Sequence, residues 1–237
     1  LEEKVAERTH ELQKAVAELE AFSYSLTHDM RAPLRTIQSF NEIVLEHGRD
    51  KLAPEDVELL RRTIESSRRL DRLVLDLLEF TRISRSPIRL EAVDVEHLID
   101  TIIGERLELQ PPKAVIKIQR PLPHVSANPP SLTQCIANLL ENAVKFVPAG
   151  AVAEVSVYAE QNEAGVRLCF KDNGIGINKK EQDRLFHMFQ RVHSTSYPGT
   201  GIGLAIVRKA VERMHGQTGV QSELGQGSCF WLQLRRP

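Results

Sequence analysis

Val5, Leu12, Leu19 and Leu26 recur every seven residues, with Val16 and Met30 on the interleaved position. This spacing constrains the N-terminal fold more than any other feature of the chain. An apolar seam repeating every 3.5 residues is buried against a second helix, so the stretch predicts a coiled coil that continues into a bundle helix. Thr9 and Ser23 also fall on the interleaved position, so the seam is imperfect. With Leu26 at position d, His28 falls at f and points away from the seam. The first 48 residues hold one glycine, Gly48, and one proline, Pro33. A proline costs a helix interior roughly 3 kcal/mol. Pro33 therefore predicts a helix that loosens or bends one turn after His28.

The stretch from Gly48 to Pro54 interrupts the pattern, which resumes from Glu55 to about Arg85. Leu59, Leu60, Ile64, Leu70, Leu73, Val74, Leu77, Leu78 and Phe80 make a stripe too broad for one hairpin to bury. Two copies packed as a dimeric four-helix bundle bury it economically. Arg61, Arg62, Arg68, Arg69 and Arg72 on the same helix read as a solvated face. After the linker-like Ser84–Asp94 the periodicity changes. Residues 94–109 read as a helix, "AVIKI" as a strand and "PPSLTQCIANLLENAVKF" as an amphipathic helix. "AVAEVSVYAE" and "GVRLCFKD" alternate as neighbouring strands. A helix from about Gly203 to His215 is expected to end on Gly216 as its cap, and "GSCFWLQL" closes the chain as a strand. This order predicts a two-layer α/β sandwich following the helical hairpin.

Charge excludes one function class. The net charge is −1, divided as 15 basic against 17 acidic residues up to residue 90 and 16 against 15 after it. Neither half could bind nucleic acid mainly by phosphate neutralisation. Cys135, Cys169 and Cys229 are odd in number, show no metal spacing and sit in apolar runs, which predicts buried thiols in a reducing, cytoplasmic setting. No apolar run reaches the ~18 residues of a membrane span. The chain opens at Leu1 inside a charged helical pattern, the expectation for a piece whose upstream sensor segment is missing.

Two glycine clusters carry the chemistry: "DNGIGI" at Asp172–Ile177 and "GTGIGLAIV" at Gly199–Val207. Glycines let a backbone pass close to a ligand, and a helix N-terminus offers N–H groups to phosphate. Neither cluster has the lysine of a P-loop or the spacing of the dinucleotide fingerprint. Asn138, Asn142 and Lys145 recur at helical spacing on "NLLENAVKF", opposite Ile136, Leu139, Leu140 and Val144. An amide oxygen for Mg²⁺ and an ammonium for phosphate suit a metal–triphosphate ligand.

"SYSLTHDMRAPL", "NLLENAVKF", "DNGIGI", "LFHMFQR" and "GTGIGLAIV" follow one another as do the H, N, G1, F and G2 boxes of sensor histidine kinases. The chain resembles that family, and its wording is most similar to soluble kinases linked to PAS or phytochrome sensors. The resemblance implies a signalling coiled-coil helix over 1–22 and a dimerisation and phosphotransfer domain over 23–88. An ATP-binding domain of the GHKL (Bergerat) fold would occupy 89–237. It implies ATP and Mg²⁺ as ligands, a homodimer, and a response regulator receiver domain as partner in trans. His28 would be the phosphoacceptor and Asp29 its acid–base neighbour. Asn142 would hold the metal, Lys145 would contact phosphate, Phe146 would line the pocket, and Asn138 would lie on the same helix face. Asp172 would accept from the adenine amino group beside Gly174 and Gly176. Gly199, Gly201 and Gly203 would wrap the phosphates, and a lid over about 178–198 would be anchored by Phe186 and Phe189.

The chemistry is coherent from below. Imidazole, with an ordinary pKa near 6.5, is largely a neutral nucleophile at pH 7. A neighbouring carboxylate fixes its tautomer. Hydrolysing relatives carry a water-activating glutamate four residues before the metal-binding asparagine. Asn138 stands there instead and favours transfer to histidine. Many relatives place Thr or Asn four residues after the phosphohistidine. Ala32 stands there and predicts weak phosphatase activity. Gln217 replaces a glycine that often follows "HG". A nucleotide-binding scaffold without transfer and an ATP-hydrolysing clamp are the alternatives. The intact boxes argue against the first, and the missing glutamate argues against the second.

Overall fold

The computed structural model describes Arg8 and residues 29–48, 51–85, 87–192, 197 and 199–237. The expected heptads between residues 5 and 26, and His28 itself, lie outside the described residues. The chain divides into two compact units, Leu1–Thr81 and Arg82–Pro237.

The first unit is a helical hairpin. Helix α1 covers residues 29–48 and α2 spans Pro54–Arg85. Proline is favoured in a first helical turn, where its missing N–H costs no bond, and Glu55 and Asp56 complement the positive helix terminus there. Leu34 on α1 and Ile64, Ser67 and Val74 on α2 are buried. Arg31 pairs with Asp71 at 2.8 Å and Arg68 with Glu42 at 2.7 Å, tying the helices together. Arg62 pairs with Glu58 on its own helix, and Arg61, Arg69 and Arg72 are exposed, as the solvated-face reading expects. Much of the hairpin's apolar surface remains uncovered: Phe40 on α1 is 64% exposed and Leu59 on the α2 stripe 61%. Helix α1 continues as a helix through Pro33. The reason is geometric, since proline's fixed φ lies within the helical range and its defect is a missing hydrogen bond.

The second unit is a helix layer on a sheet. A five-stranded sheet runs in the order β2 (Ala114–Ile118), β4 (Ala153–Asn162), β5 (Gly165–Asp172), β7 (Ser228–Leu234), β6 (Gln217–Ser222). The β2–β4 pair is parallel and the other pairs are antiparallel. A separate antiparallel pair joins β1 (Glu91–Val93) to β3 (Val125–Ala127). Helices α3 (Val95–Glu105), α4 (Pro129–Lys145), the short α5 (Lys179–Gln182) and α6 (Gly203–Arg213) complete the unit. The core holds Val155, Val157, Leu168, Phe170, Phe230 and Leu232 from the sheet with Leu132, Ile136, Leu139, Leu140, Ile206 and Val207 from α4 and α6. Each such side chain contributes about 1.5–3 kcal/mol on burial. These residues alternate along their strands with Tyr158, Arg167, Cys169, Lys171, Cys229 and Trp231, which share the opposite face.

Two sequence expectations change. Residues 94–109 are not one helix. Asp94 caps α3 by accepting from His97 N–H at 3.0 Å, but α3 stops at Glu105, and a separate 3-10 turn covers Leu107–Leu109. Gln110 Nε2 donates to the carbonyls of Ile103 and Gly104, satisfying the helix end, and Pro111 and Pro112 follow. The left-handed cap of α6 is His215 at φ 58°, not Gly216. His215 N–H donates to Glu212 and Gly216 N–H to Val211, the two bonds of a Schellman ending. Gly216 is needed for a different reason: a Cβ there would collide with the carbonyl oxygen of Gln233 on β7.

Candidate nucleotide-binding site

Asp172 ends β5 and is one of few buried polar residues in the unit, 8% exposed. Its Oδ1 accepts from the backbone N–H of Gly174 at 2.8 Å and of Ser228 at 3.0 Å. Burial nevertheless pushes its pKa from 3.8 up to about 6, with the two N–H donors opposing the rise. Both donors use one oxygen. Oδ2 therefore remains as an acceptor for a ligand donor.

The backbone around Asp172 is closely packed. Ile175 N–H donates to Phe146 O at 2.9 Å, joining the loop after β5 to the end of α4. A Cβ on Gly174 would stand 2.6 Å from that same carbonyl. Gly176 turns through φ +69°, where a Cβ would also run into Glu223 O. Gly174 thus lies between Asp172 and the end of α4, and Gly176 lies against the Glu223 carbonyl that precedes β7.

Helix α4 supplies the other side. Asn128 starts it by accepting from Ser131 N–H, with Pro129 and Pro130 in the first turn. Asn138 Nδ2 donates to Gly203 O at 3.3 Å, so this residue ties α4 to the start of α6. Asn142, one turn on, is half-buried, and its carboxamide makes no hydrogen bond among the described residues. Lys145 Nζ lies 4.6 Å from the Phe146 ring centroid, and a Cβ on Gly199 would stand 2.6 Å from that ammonium. The second glycine cluster and the end of α4 therefore face each other. Gly201 turns through φ +77°, and its carbonyl accepts from Phe189 N–H at 2.9 Å. Helix α6 then begins at Gly203 with Ile202 at its N-cap and no side chain capping it. In the second unit Asn138, Asn142 and Lys145 lie on α4 with Phe146 at its C-cap, Asp172 ends β5, and the five site glycines lie between β5 and the first residue of α6. Asp29 is an exposed residue of α1 in the first unit.

Residues 18–86 match the His Kinase A (phospho-acceptor) domain family, and residues 127–237 match the family of histidine kinase-, DNA gyrase B- and HSP90-like ATPases. The chain belongs to the sensor histidine kinases. It is 30% identical to Cyanobacterial phytochrome A of Nostoc over 98% of its own length and 30% of that protein's. It is 32% identical to Sensor histidine kinase AruS of Pseudomonas aeruginosa over 99% of its length and 25% of the relative's. The chain thus spans about a third or less of these relatives. Among solved structures, full-length ShkA in complex with AMPPNP aligns at TM-score 0.64 and 30% identity over 90% of this chain and 45% of that one. The Acinetobacter baumannii histidine kinase AdeS aligns at 0.61 over 88% and 97%, with 21% identity, and shares the fold.

Several residues of this candidate site escaped the sequence reading. Tyr197 packs its ring 5.3 Å from Phe146, and its hydroxyl donates to Val147 O at 3.0 Å. Arg191 donates to Tyr197 O at 2.8 Å. Ser222 Oγ accepts from Ile177 N–H and donates to Gly227 O, both at 2.8 Å. Gln182 Nε2 donates to Ile177 O and Ser222 O. A serine between glycine-rich "GQG" and a strand was the available signal for Ser228. Gln182 carried none. Among the described residues no helix is long and apolar enough to cross a membrane.

Proposed function

We propose that this chain is the kinase core of a two-component sensor: it binds Mg²⁺·ATP, transfers the γ-phosphoryl group to His28, and passes it to an aspartate of a response regulator. The observation that carries the reading is Asp172, a buried carboxylate with one oxygen saturated by backbone N–H groups and the other left to accept from a base amino group. Support for the phosphate end comes from Lys145 beside Gly199 and from the uncapped start of α6, an anion-favouring helix terminus. The ShkA structure that aligns with this chain contains an ATP analogue, which agrees with this assignment.

Each residue then has a role. Phe146 offers an apolar edge to the base, and Gly174 and Gly176 keep the wall thin enough for Asp172 to reach it. Asn142 supplies the amide oxygen that would hold Mg²⁺, which when bound offsets charge between the terminal phosphates. Lys145 neutralises phosphate oxygens, and Gly199, Gly201 and Gly203 let backbone N–H groups approach them. Asn138, engaged with Gly203 O, positions α6 and leaves water unactivated. His28 attacks as neutral imidazole, with Asp29 fixing its tautomer and stabilising the charge that develops. The uncovered apolar surface around Phe40 and Leu59 fits a homodimer, the ligands fit the cytoplasm, and the regulator would dock in trans. Ala32 brings no polar side chain near the phosphohistidine, so dephosphorylation of the regulator would be slow, and Ala32→Thr would raise it.

Incubation with γ-labelled ATP tests the reading. The chain should acquire acid-labile, base-stable label that is absent in His28→Gln. Base-labile label, or label that persists in the variant, would refute it.

A further inference from the structure

The sheet face opposite the helices carries a group that nucleotide chemistry does not use. In the β5–β7 register Cys169 stands opposite Trp231 and Lys171 opposite Cys229, so the two cysteines are diagonal neighbours on one face. Tyr158 stands opposite Cys169 across the β4–β5 pair, and its hydroxyl lies 3.7 Å from Cys229 Sγ. Cys169 is buried, but Cys229 is only half-buried, against the expectation that all three thiols are enclosed. The third, Cys135, is fully enclosed, and burial pushes its pKa up to about 12. Cys229 behaves oppositely: the neighbouring Cys169 thiol favours its thiolate, with Tyr158 and the Lys171 charge assisting, and its pKa falls to about 7 despite burial and Glu160. Its neighbour Cys229 in turn raises the pKa of Cys169.

We propose that Cys229 and Cys169 form a peroxide-reactive dithiol, with Cys229 the attacking sulfur and Cys169 the resolving one. The Cys229 thiolate attacks one oxygen of a hydroperoxide, the O–O bond breaks, and the leaving oxygen takes a proton to depart as water or alcohol. The Cys169 thiol then displaces hydroxide from the resulting sulfenic acid, which leaves as water with the thiol proton. Two thiols are oxidised to one disulfide and one peroxide is reduced. Diagonal strand neighbours sit about 7–8 Å apart at Cα, just beyond the ~4.4–6.8 Å that disulfides prefer. Closure therefore needs a small slide of β7 along β5, and the resulting bond is readily reduced. Ser228, whose N–H holds Asp172, is the residue next to Cys229 on the sliding strand.

The test is stoichiometric hydrogen peroxide on the full chain at pH 7, followed by thiol counting under denaturing conditions and peptide mapping. Two of the three thiols should disappear, with a Cys169–Cys229 linkage that dithiothreitol reverses and with Cys135 retained. Half-ionised Cys229 should react about 5-fold faster than an unperturbed thiol, once its larger thiolate fraction is offset by lower nucleophilicity. Trp231, the sole tryptophan, lies opposite Cys169, and its fluorescence should change in step. Cys169→Ser should stop at a dimedone-trapped sulfenic acid on Cys229, and Cys229→Ser should keep its remaining thiols. Equal loss of Cys135, a wild-type reaction that stops at sulfenic acid, or linkage only between chains would overturn the proposal.

Discussion

Asp172→Asn should make the protein more stable at neutral pH while sharply weakening its nucleotide affinity. Asp172 stays ionised at pH 7 although it is 8% exposed, and burial holds its pKa at about 6 against an ordinary 3.8. A gap of roughly 2 units corresponds to about 3 kcal/mol of unfavourable ionisation in the folded state. The sign follows from the direction of the shift. Because the folded pKa is the higher one, the native state binds the proton more tightly. The contribution is full below about pH 4 and is lost as pH rises through 6. Asparagine presents its one carbonyl oxygen to Gly174 and Ser228, both of which use Oδ1 in the wild type, so neither backbone bond is lost. The variant should gain about 1–3 kcal/mol at pH 7, and this gain should shrink towards pH 4. Urea unfolding followed through Trp231 would read it in the relevant unit. Nucleotide titration should show at least a 10–100-fold loss, since an NH₂ group replaces the acceptor that an amino group needs. A variant less stable than wild type at pH 7, or a stability difference that does not change with pH, would refute the reasoning.

Other substitutions probe separate links. Gly216→Ala should cost about 1–3 kcal/mol in urea unfolding, because the new methyl meets Gln233 O. His215→Gly should instead stabilise by about 1 kcal/mol by relieving the left-handed conformation. Lys145→Ala should weaken ATP binding about 10-fold in calorimetry, as expected for the loss of a charge-assisted contact, with little change in melting temperature. Phe40→Asp should shift the protein to monomers in sedimentation velocity, since this phenylalanine, 64% exposed, is the most exposed large apolar residue of α1.

The features readable in the sequence were those with local causes. The strands β4 and β5 announced themselves by alternation, and α4 by its proline-led start and apolar spacing. Gly174 and Gly176 were legible because backbone collisions leave few alternatives to glycine there. What escaped depends on long-range packing. The three-residue strands β1 and β3 are too short to show a period, and β6, with the burial pattern of a half-covered edge, has none of the apolar alternation of its neighbours. Gly216 was read as a helix cap because the chain's return to β7 is invisible locally. Gln182 and Ser222 meet only because the β6–β7 hairpin folds back beneath the loop after β5. Pro33 leaves α1 continuous, since a single missing bond does not end a helix whose other turns remain intact.

Helices α3 and α4 each close their first turn with a side chain, Asp94 and Asn128, while α6 opens at Ile202 and Gly203 without one. A missing cap typically costs a helix about 1 kcal/mol, so this helix is left with an incomplete start that an anion can finish. If the triphosphate is that anion, the nucleotide is a structural part of α6 and not only its passenger. Loss of ATP would then register as faster amide exchange at Leu204 and Ala205, and the hydrogen bond between Asn138 and Gly203 would carry that loosening into α4. Nucleotide departure in such a molecule coincides with partial loosening of the helix that held it.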